Sequence, residues 1–309
     1  MHKVTGIDHV GIGVQNIRTM MSFYQDVPKF TDILAEMPES DHKSIQTLIR
    51  MSPAVFSGIL INRKAGGFAV ALYQMIDPAP RYIRRDFKYG DIGVAKITIA
   101  VTDVEKLYEG LKNIVNFCCM PKQTNVPGWG EYYFVYCRDP EGNLIEFISG
   151  GDMLSTGRTD STRWIGVSVT DLHRSREFYR KHMGFTSLVI DEHESFSGLV
   201  DEISGGSRTS VRSCVLASGK DGDMLELVEV MQPRGRSIPF SARWGDFGYL
   251  QVCISCDDVN ETADYFGKEG IELITGPQWF GDSKDENAGM FFYIQDPDGI
   301  PVEFLSFPH

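Results

Sequence analysis

The chain repeats itself, and the repeat governs what it can fold into. SFYQDVPKF, with Phe23-Tyr24, returns as EFYRKHMGF, with Phe178-Tyr179, 155 residues later. At the same offset His9 in IDHVGIGV falls on Trp164 in TRWIGVSV, and Lys96 in AKITIAV falls on Gln251 in LQVCISC. Asp139-Pro-Glu-Gly returns as Asp296-Pro-Asp-Gly at an offset of 157. Four matches in one order mark a duplicated unit. Each copy divides again, because His9 to Lys96 and Trp164 to Gln251 both span 87 residues. A length of 309 residues suits two domains. We place them at 1–150 and 160–309, joined by the polar stretch after Gly150-Gly151-Asp152.

Four modules therefore share one plan. The opening strands alternate between faces. Val10, Ile12 and Val14 oppose His9, Gly11 and Gly13, while Ile97, Ile99 and Val101 oppose Lys96, Thr98 and Ala100. Ile165, Val167 and Val169 oppose Trp164, Gly166 and Ser168, while Val252, Ile254 and Cys256 oppose Gln251, Cys253 and Ser255. The aliphatic face should pack on helices. The small or polar face suits a cavity wall. Ile17, Met20, Met21, Tyr24 and Val27 follow at near-helical spacing, as do Val104, Leu107, Tyr108 and Leu111. Asp103, Asp171 and Asp258 stand where N-caps are needed. Further strands are expected at 68–73, 131–136, 144–148, 224–230, 290–294 and 302–305. The two Asp-Pro-x-Gly segments read as tight turns.

Charge and cysteines narrow the function classes. Thirty Lys and Arg against 42 Asp and Glu give a net charge of −12, which disfavours nucleic acid and anionic membranes as partners. No run of eighteen apolar residues stands in the sequence, so no transmembrane helix is expected, and the first ten residues carry no apolar stretch of a secretory leader. Six dispersed cysteines do not form a disulfide framework, so a reducing, cytoplasmic setting is expected. Cys253-x-x-Cys256 lies within an alternating strand, which turns its two thiols to opposite faces. GIGVQN lies within a strand and lacks the last glycine of a phosphate loop.

IDHVGIGV with SFYQDV, RDPEGNLIEFIS, RWIGVSVTDLHRSREFYRKHMGF, LELVEVMQP and QDPDGIPVEFLS together resemble the vicinal oxygen chelate superfamily. That superfamily includes glyoxalase I, methylmalonyl-CoA epimerase, extradiol dioxygenases and bleomycin-resistance proteins. The resemblance runs from about Ile7 to Ser306. It implies an α+β fold of four βαβββ modules, paired into two cup-shaped half-barrel domains. It also implies metal ligands at the first and last strands of each module. Those positions hold His9 and Ala71, Lys96 and Glu146, Trp164 and Glu226, and Gln251 and Glu303.

Two pairings are open. If each half closes its own cup, the first holds His9, Ala71, Lys96 and Glu146. An ammonium has no lone pair for a metal, so a Lys96–Glu146 ion pair would occupy that position. It would either plug the cup or bind a substrate oxyanion. The second cup would hold Trp164, Glu226, Gln251 and Glu303. If modules pair across the halves, one cup instead joins His9, Gln251 and Glu303. Gln251 and Glu303 belong to a ligand set either way, completed by Glu226 or His9. Oxygen donors favour Mg²⁺, Mn²⁺ or a similar hard divalent ion. Tyr293 and Tyr136 stand ten residues before Glu303 and Glu146, the place where extradiol dioxygenases carry a tyrosine beside the metal.

The reading that follows is a metal-dependent lyase or isomerase acting on a small oxygen-bearing molecule, with Lys96, Glu146 and Tyr293 as catalytic candidates. The alternative is a protein that sequesters an aromatic or apolar compound between tryptophans 129, 164, 244 and 279. Extradiol ring cleavage wants two histidines and a carboxylate, and no pairing supplies two histidines. The expected partner is a small molecule, with a homodimer compatible with either reading.

Overall fold

The computed structural model describes residues 4–126, 130–150, 160–193, 198–218, 222–239, 242–280 and 288–307. Module one comprises β1 (Val4–Gly13), α1 (Ile17–Asp26), β2 (Asp32–Asp41), α2 (Lys43–Ile49), β3 (Val55–Asn62) and β4 (Ala69–Asp77). Module two comprises β5 (Gly93–Ala100), α3 (Val104–Leu111), β6 (Asn116–Phe117), β7 (Lys122–Val126), β8 (Gly130–Arg138) and β9 (Leu144–Gly150). Module three comprises β10 (Thr162–Ser168), α4 (Leu172–His182), β11 (Ser187–His193), α5 (Asp201–Ser204), β12 (Ser210–Ser218) and β13 (Asp223–Gln232). Module four comprises β14 (Gly248–Cys256), α6 (Val259–Lys268), β15 (Leu273–Phe280), β16 (Gly289–Gln295) and β17 (Pro301–Ser306). The stretch proposed as a linker lies largely outside the described residues.

Each main helix starts where a short polar side chain accepts a free backbone N–H. Asn16 accepts from Thr19, Asp103 from Lys106, Asp171 from Arg174 and Asp258 from Glu261, at 2.9–3.0 Å. The aliphatic strand faces carry Val10, Ile12, Ile97, Ile99, Ile165, Val167, Val252 and Ile254. These pack with Met20, Tyr24, Leu172, Tyr179, Val259 and Phe266 of the helices in one core that spans all four modules. The concave faces form two separate clusters, one per sheet.

The modules pair across the halves. One sheet runs β15-β16-β17-β14-β1-β4-β3-β2, joining modules four and one. The other runs β11-β12-β13-β10-β5-β9-β8-β6, with β7 on β8, joining modules three and two. At each centre the two opening strands pair antiparallel, β1 with β14 and β10 with β5. His9 and Lys96 therefore occupy different cups, against the half-by-half pairing. Both cups contain strands from both halves of the repeat.

Modules of the same half meet elsewhere. Tyr24 donates its hydroxyl to Asp139 at 3.3 Å, and Tyr179 to Asp296 at 3.1 Å. The Phe-Tyr and Asp-Pro-x-Gly segments that mark the repeat in sequence are thus contact partners. Glu141 accepts from the backbone N–H of Gln15 and Asn16 at the start of α1, and Asp298 accepts from Thr170 ahead of α4. No helix among the described residues is long and apolar enough to cross a membrane.

Candidate functional site

Strand register sets the first cup. On its concave face His9, Cys253, Glu303 and Tyr293 stand side by side on β1, β14, β17 and β16. Gly11 and Gln251 pair two residues along, with Ala71 on the other side of Gly11. Alternation turns all of these side chains inward. A Cβ on Gly11 would lie 2.5 Å from the Gln251 amide nitrogen, so the missing side chain makes room for that amide.

The polar groups converge. His9 Nδ1 lies 2.8 Å from Asp8 Oδ1, which orients the ring and leaves Nε2 facing the cup. Nε2 is 3.6 Å from Glu303 Oε2 and 3.3 Å from the Tyr73 hydroxyl. The Gln251 amide donates to Glu303 Oε2 at 3.2 Å. Its carbonyl oxygen is fully buried and has no hydrogen-bond partner among the described residues. Burial raises the Glu303 carboxyl above its ordinary value, against the pull of His9 and two hydrogen bonds. Burial lowers His9, but Asp8 and Glu303 outweigh it and hold the imidazole above its usual range. Burial first, and then the Glu303 charge, push the Tyr73 and Tyr293 phenols well above theirs.

The wall around this group is apolar and aromatic. Trp244 packs at 5.1 Å on Phe56 and 4.8 Å on Tyr73, between ring centroids. A cleft of about 1120 Å³ reaches Trp244, Tyr293, Leu250, Ile274, Leu48 and Ile83. It continues along the β4–β5 and β13–β14 connections, which Arg236 ties together through Asp86 and Asp91.

The second cup has the same geometry and different chemistry. Lys96 Nζ stands 2.6 Å from Glu146 Oε2 and 2.9 Å from Glu226 Oε2. Thr98 donates to Glu146 Oε2 at 2.7 Å, and Tyr132 to Oε1 at 3.2 Å. The ammonium also faces the rings of Tyr136 and Tyr89 at 5.4 and 5.7 Å. Lys96 is 1% exposed and Glu146 fully buried. Burial alone would lower the lysine, but the two carboxylates raise it well above its ordinary value. The lysine stem lies over Gly166 as Gln251 lies over Gly11, since a Cβ there would be 2.7 Å from Lys96 Cγ.

Of the residues proposed from sequence, His9, Gln251, Glu303 and Tyr293 come together in the first cup. Lys96, Glu146 and Glu226 come together in the second. Glu226 therefore stands apart from Gln251 and Glu303, because β13 lies in the other sheet. Trp164 is buried in the second cup, Trp244 walls the first, Trp279 is exposed on β15, and Trp129 lies outside the described residues. Cys253 and Cys256 do face opposite ways, the first into the cup and the second into the common core. Sequence reasoning did not single out Asp8, Tyr73 or Tyr132, and it placed Cys253 and Thr98 on the cavity face without giving them a role. For Cys253 and Thr98 a signal existed, since both sit two residues beyond a proposed site position on the same strand face.

A family model for the Glyoxalase/Bleomycin resistance protein/Dioxygenase superfamily matches residues 6–147 and 162–304. No curated protein matches the chain significantly by sequence. Among solved structures, glyoxalase I from Zea mays is 18% identical, with a TM-score of 0.63 over 97% of this chain and 92% of that one. A mutant of the same Zea mays enzyme is 19% identical, with a TM-score of 0.65 over 97% of this chain and 92% of that one. A candidate dioxygenase from Bacillus subtilis is 13% identical, with a TM-score of 0.61 over 100% of this chain and 87% of that one.

Proposed function

Because the chain belongs to the glyoxalase/bleomycin resistance protein/dioxygenase superfamily, we propose that it is a divalent-metal-dependent lyase or isomerase with one working cup, built from modules one and four. The observation that carries this reading is the buried Gln251 carbonyl oxygen, an acceptor without a donor among the described residues, beside His9 Nε2 and the Glu303 carboxylate. A buried acceptor left unpaired costs about 1–3 kcal/mol, and a cation would satisfy it. His9, Gln251 and Glu303 would hold the ion, and Asp8 would set the imidazole tautomer. A bound divalent ion supplies Lewis acidity toward a pair of substrate oxygens.

The chain's own groups do the rest. Tyr73 and Tyr293 keep their protons and donate hydrogen bonds where negative charge develops on a substrate oxygen. Trp244 and Phe56 hold an apolar or aromatic part of the substrate and exclude water. The second cup works as a sealed counterpart, in which the Lys96 ammonium provides the positive charge inside the protein.

Metal content per chain, measured on protein purified without chelator, tests this. Near-unit occupancy is expected, falling at least about tenfold in affinity in Glu303→Gln, the loss that even a ligand's supporting partner typically brings. Metal-dependent proton exchange next to a substrate carbonyl should fall with it. A wild-type protein that binds no divalent ion would overturn the enzyme reading in favour of small-molecule sequestration, read by quenching of Trp244 fluorescence.

A further inference from the structure

We infer that Cys253 is a further ligand of the first-cup centre, and that its sulfur makes the site prefer a borderline ion such as Zn²⁺ or Co²⁺ to Mg²⁺. The inference rests on reading that cup as a metal site. Cys253 lies between its neighbours His9 on β1 and Glu303 on β17, and is fully buried on the concave face. Donor atoms of Asp8, His9 and Cys253 all lie within 4.8 Å of one another.

The other cup shows where a side chain at this position reaches. Thr98 is the counterpart of Cys253, pairing with Trp164 and Glu146 as Cys253 pairs with His9 and Glu303. Its hydroxyl donates to the central carboxylate at 2.7 Å. Cys253 stands beside Glu303 at the matching register position.

The donor set also needs it. Ala71 stands where the second cup has Glu226, and a methyl group offers no lone pair. With Cys253 the set becomes one nitrogen, one sulfur and two oxygens. Mg²⁺ takes oxygen ligands in near-octahedral geometry, whereas thiolate and imidazole select Zn²⁺-like ions. On binding, the S–H bond breaks, a metal–sulfur bond forms and the proton passes to solvent, with no change of oxidation state. A Cys253–Cys256 disulfide does not compete, because Cys256 packs in the common core on the other face.

The test is cobalt substitution of the full-length protein. Stripped wild-type protein loaded with Co²⁺ should show visible d–d bands and a near-ultraviolet sulfur-to-cobalt charge-transfer band. Cys253→Ser and Cys253→Ala should lose the charge-transfer band and bind Zn²⁺ at least about tenfold more weakly, while Cys256→Ser keeps both. Circular dichroism checks that the variants fold. If neither Cys253 variant folds, the wild-type band and its persistence in Cys256→Ser decide. Cobalt bound with d–d bands but no charge-transfer band would overturn the role of Cys253 and leave the metal centre standing. A band that survives in Cys253→Ser would also overturn it. Protein that binds no Co²⁺ would overturn both readings.

Discussion

Lys96 shows how one side chain decides the fate of a cup. Its ammonium is held by two buried carboxylates, 2.6 and 2.9 Å away. Lys96→Met removes the cation and leaves Glu146 and Glu226 uncompensated. Breaking a buried pair in this way typically costs about 3–5 kcal/mol, which urea unfolding should show. Millimolar Mn²⁺ should restore more stability to the variant than to wild type, because two carboxylates suit a hard ion. Equal effects on both proteins would speak against the ammonium standing in for a metal. Asp296 makes the opposite case, a buried carboxylate with no cation beside it among the described residues. Burial pushes it up to about 7, against backbone and Tyr179 hydrogen bonds. A raised carboxyl contributes stability that is present below its unfolded value and is lost as pH rises through about 7. Asp296→Asn keeps an acceptor for the N–H groups of Asp298 and Ile300. Thermal and urea unfolding at pH 5 and pH 8 should therefore show wild type losing about 1–3 kcal/mol relative to the variant.

At the scale of the element, the opening strands carry the site. Each has an aliphatic face for the core and a second face turned to a cup. In β1 and β10 a glycine on that second face leaves room for a neighbour's long side chain. Gly11 accommodates Gln251 and Gly166 accommodates Lys96. Gly11→Ala places a methyl group 2.5 Å from the Gln251 amide, whose flexible end can move aside. The fold should tolerate the change at a cost of about 1 kcal/mol, while metal affinity falls at least about tenfold. Titration calorimetry beside a thermal melt separates the two. Unchanged affinity would show that Gln251 is not a ligand.

At the scale of the whole molecule, the two sheets interlock the two halves. β1 needs β14 and β5 needs β10, so neither half builds a cup from its own modules. Residues 1–150 or 160–309 expressed alone should be aggregated or self-associated. The two co-expressed should recover a one-to-one complex that binds metal. A monomeric half with native-like melting would contradict this interlocking. The helix-capping contacts of Glu141 and Asp298 stay within each half, and they explain how each repeat keeps its local order while sharing its sheets.

The repeat, the opening strand and first helix of each module, the closing strands, the Asp caps and the inward direction of His9, Lys96, Gln251 and Glu303 were legible in the amino-acid order, whereas β2, β3, β6, β7, β11, β12, β15, α2 and α5 were not. Alternation and helical spacing are local properties, and every module states them again. Which modules share a sheet was not legible. Modules one and two, or one and four, present the same aliphatic face and the same edge, so local pattern is satisfied by either pairing. Long-range antiparallel pairing of β1 with β14 and β5 with β10 made the choice. That choice sorted the polar residues: Glu226 went to Lys96, and His9 to Gln251 and Glu303. It also brought Cys253 between His9 and Glu303, since a side chain's neighbours across a sheet come from strand register. The chemistry of each cup is thus a consequence of pairing, which only the tertiary structure decides.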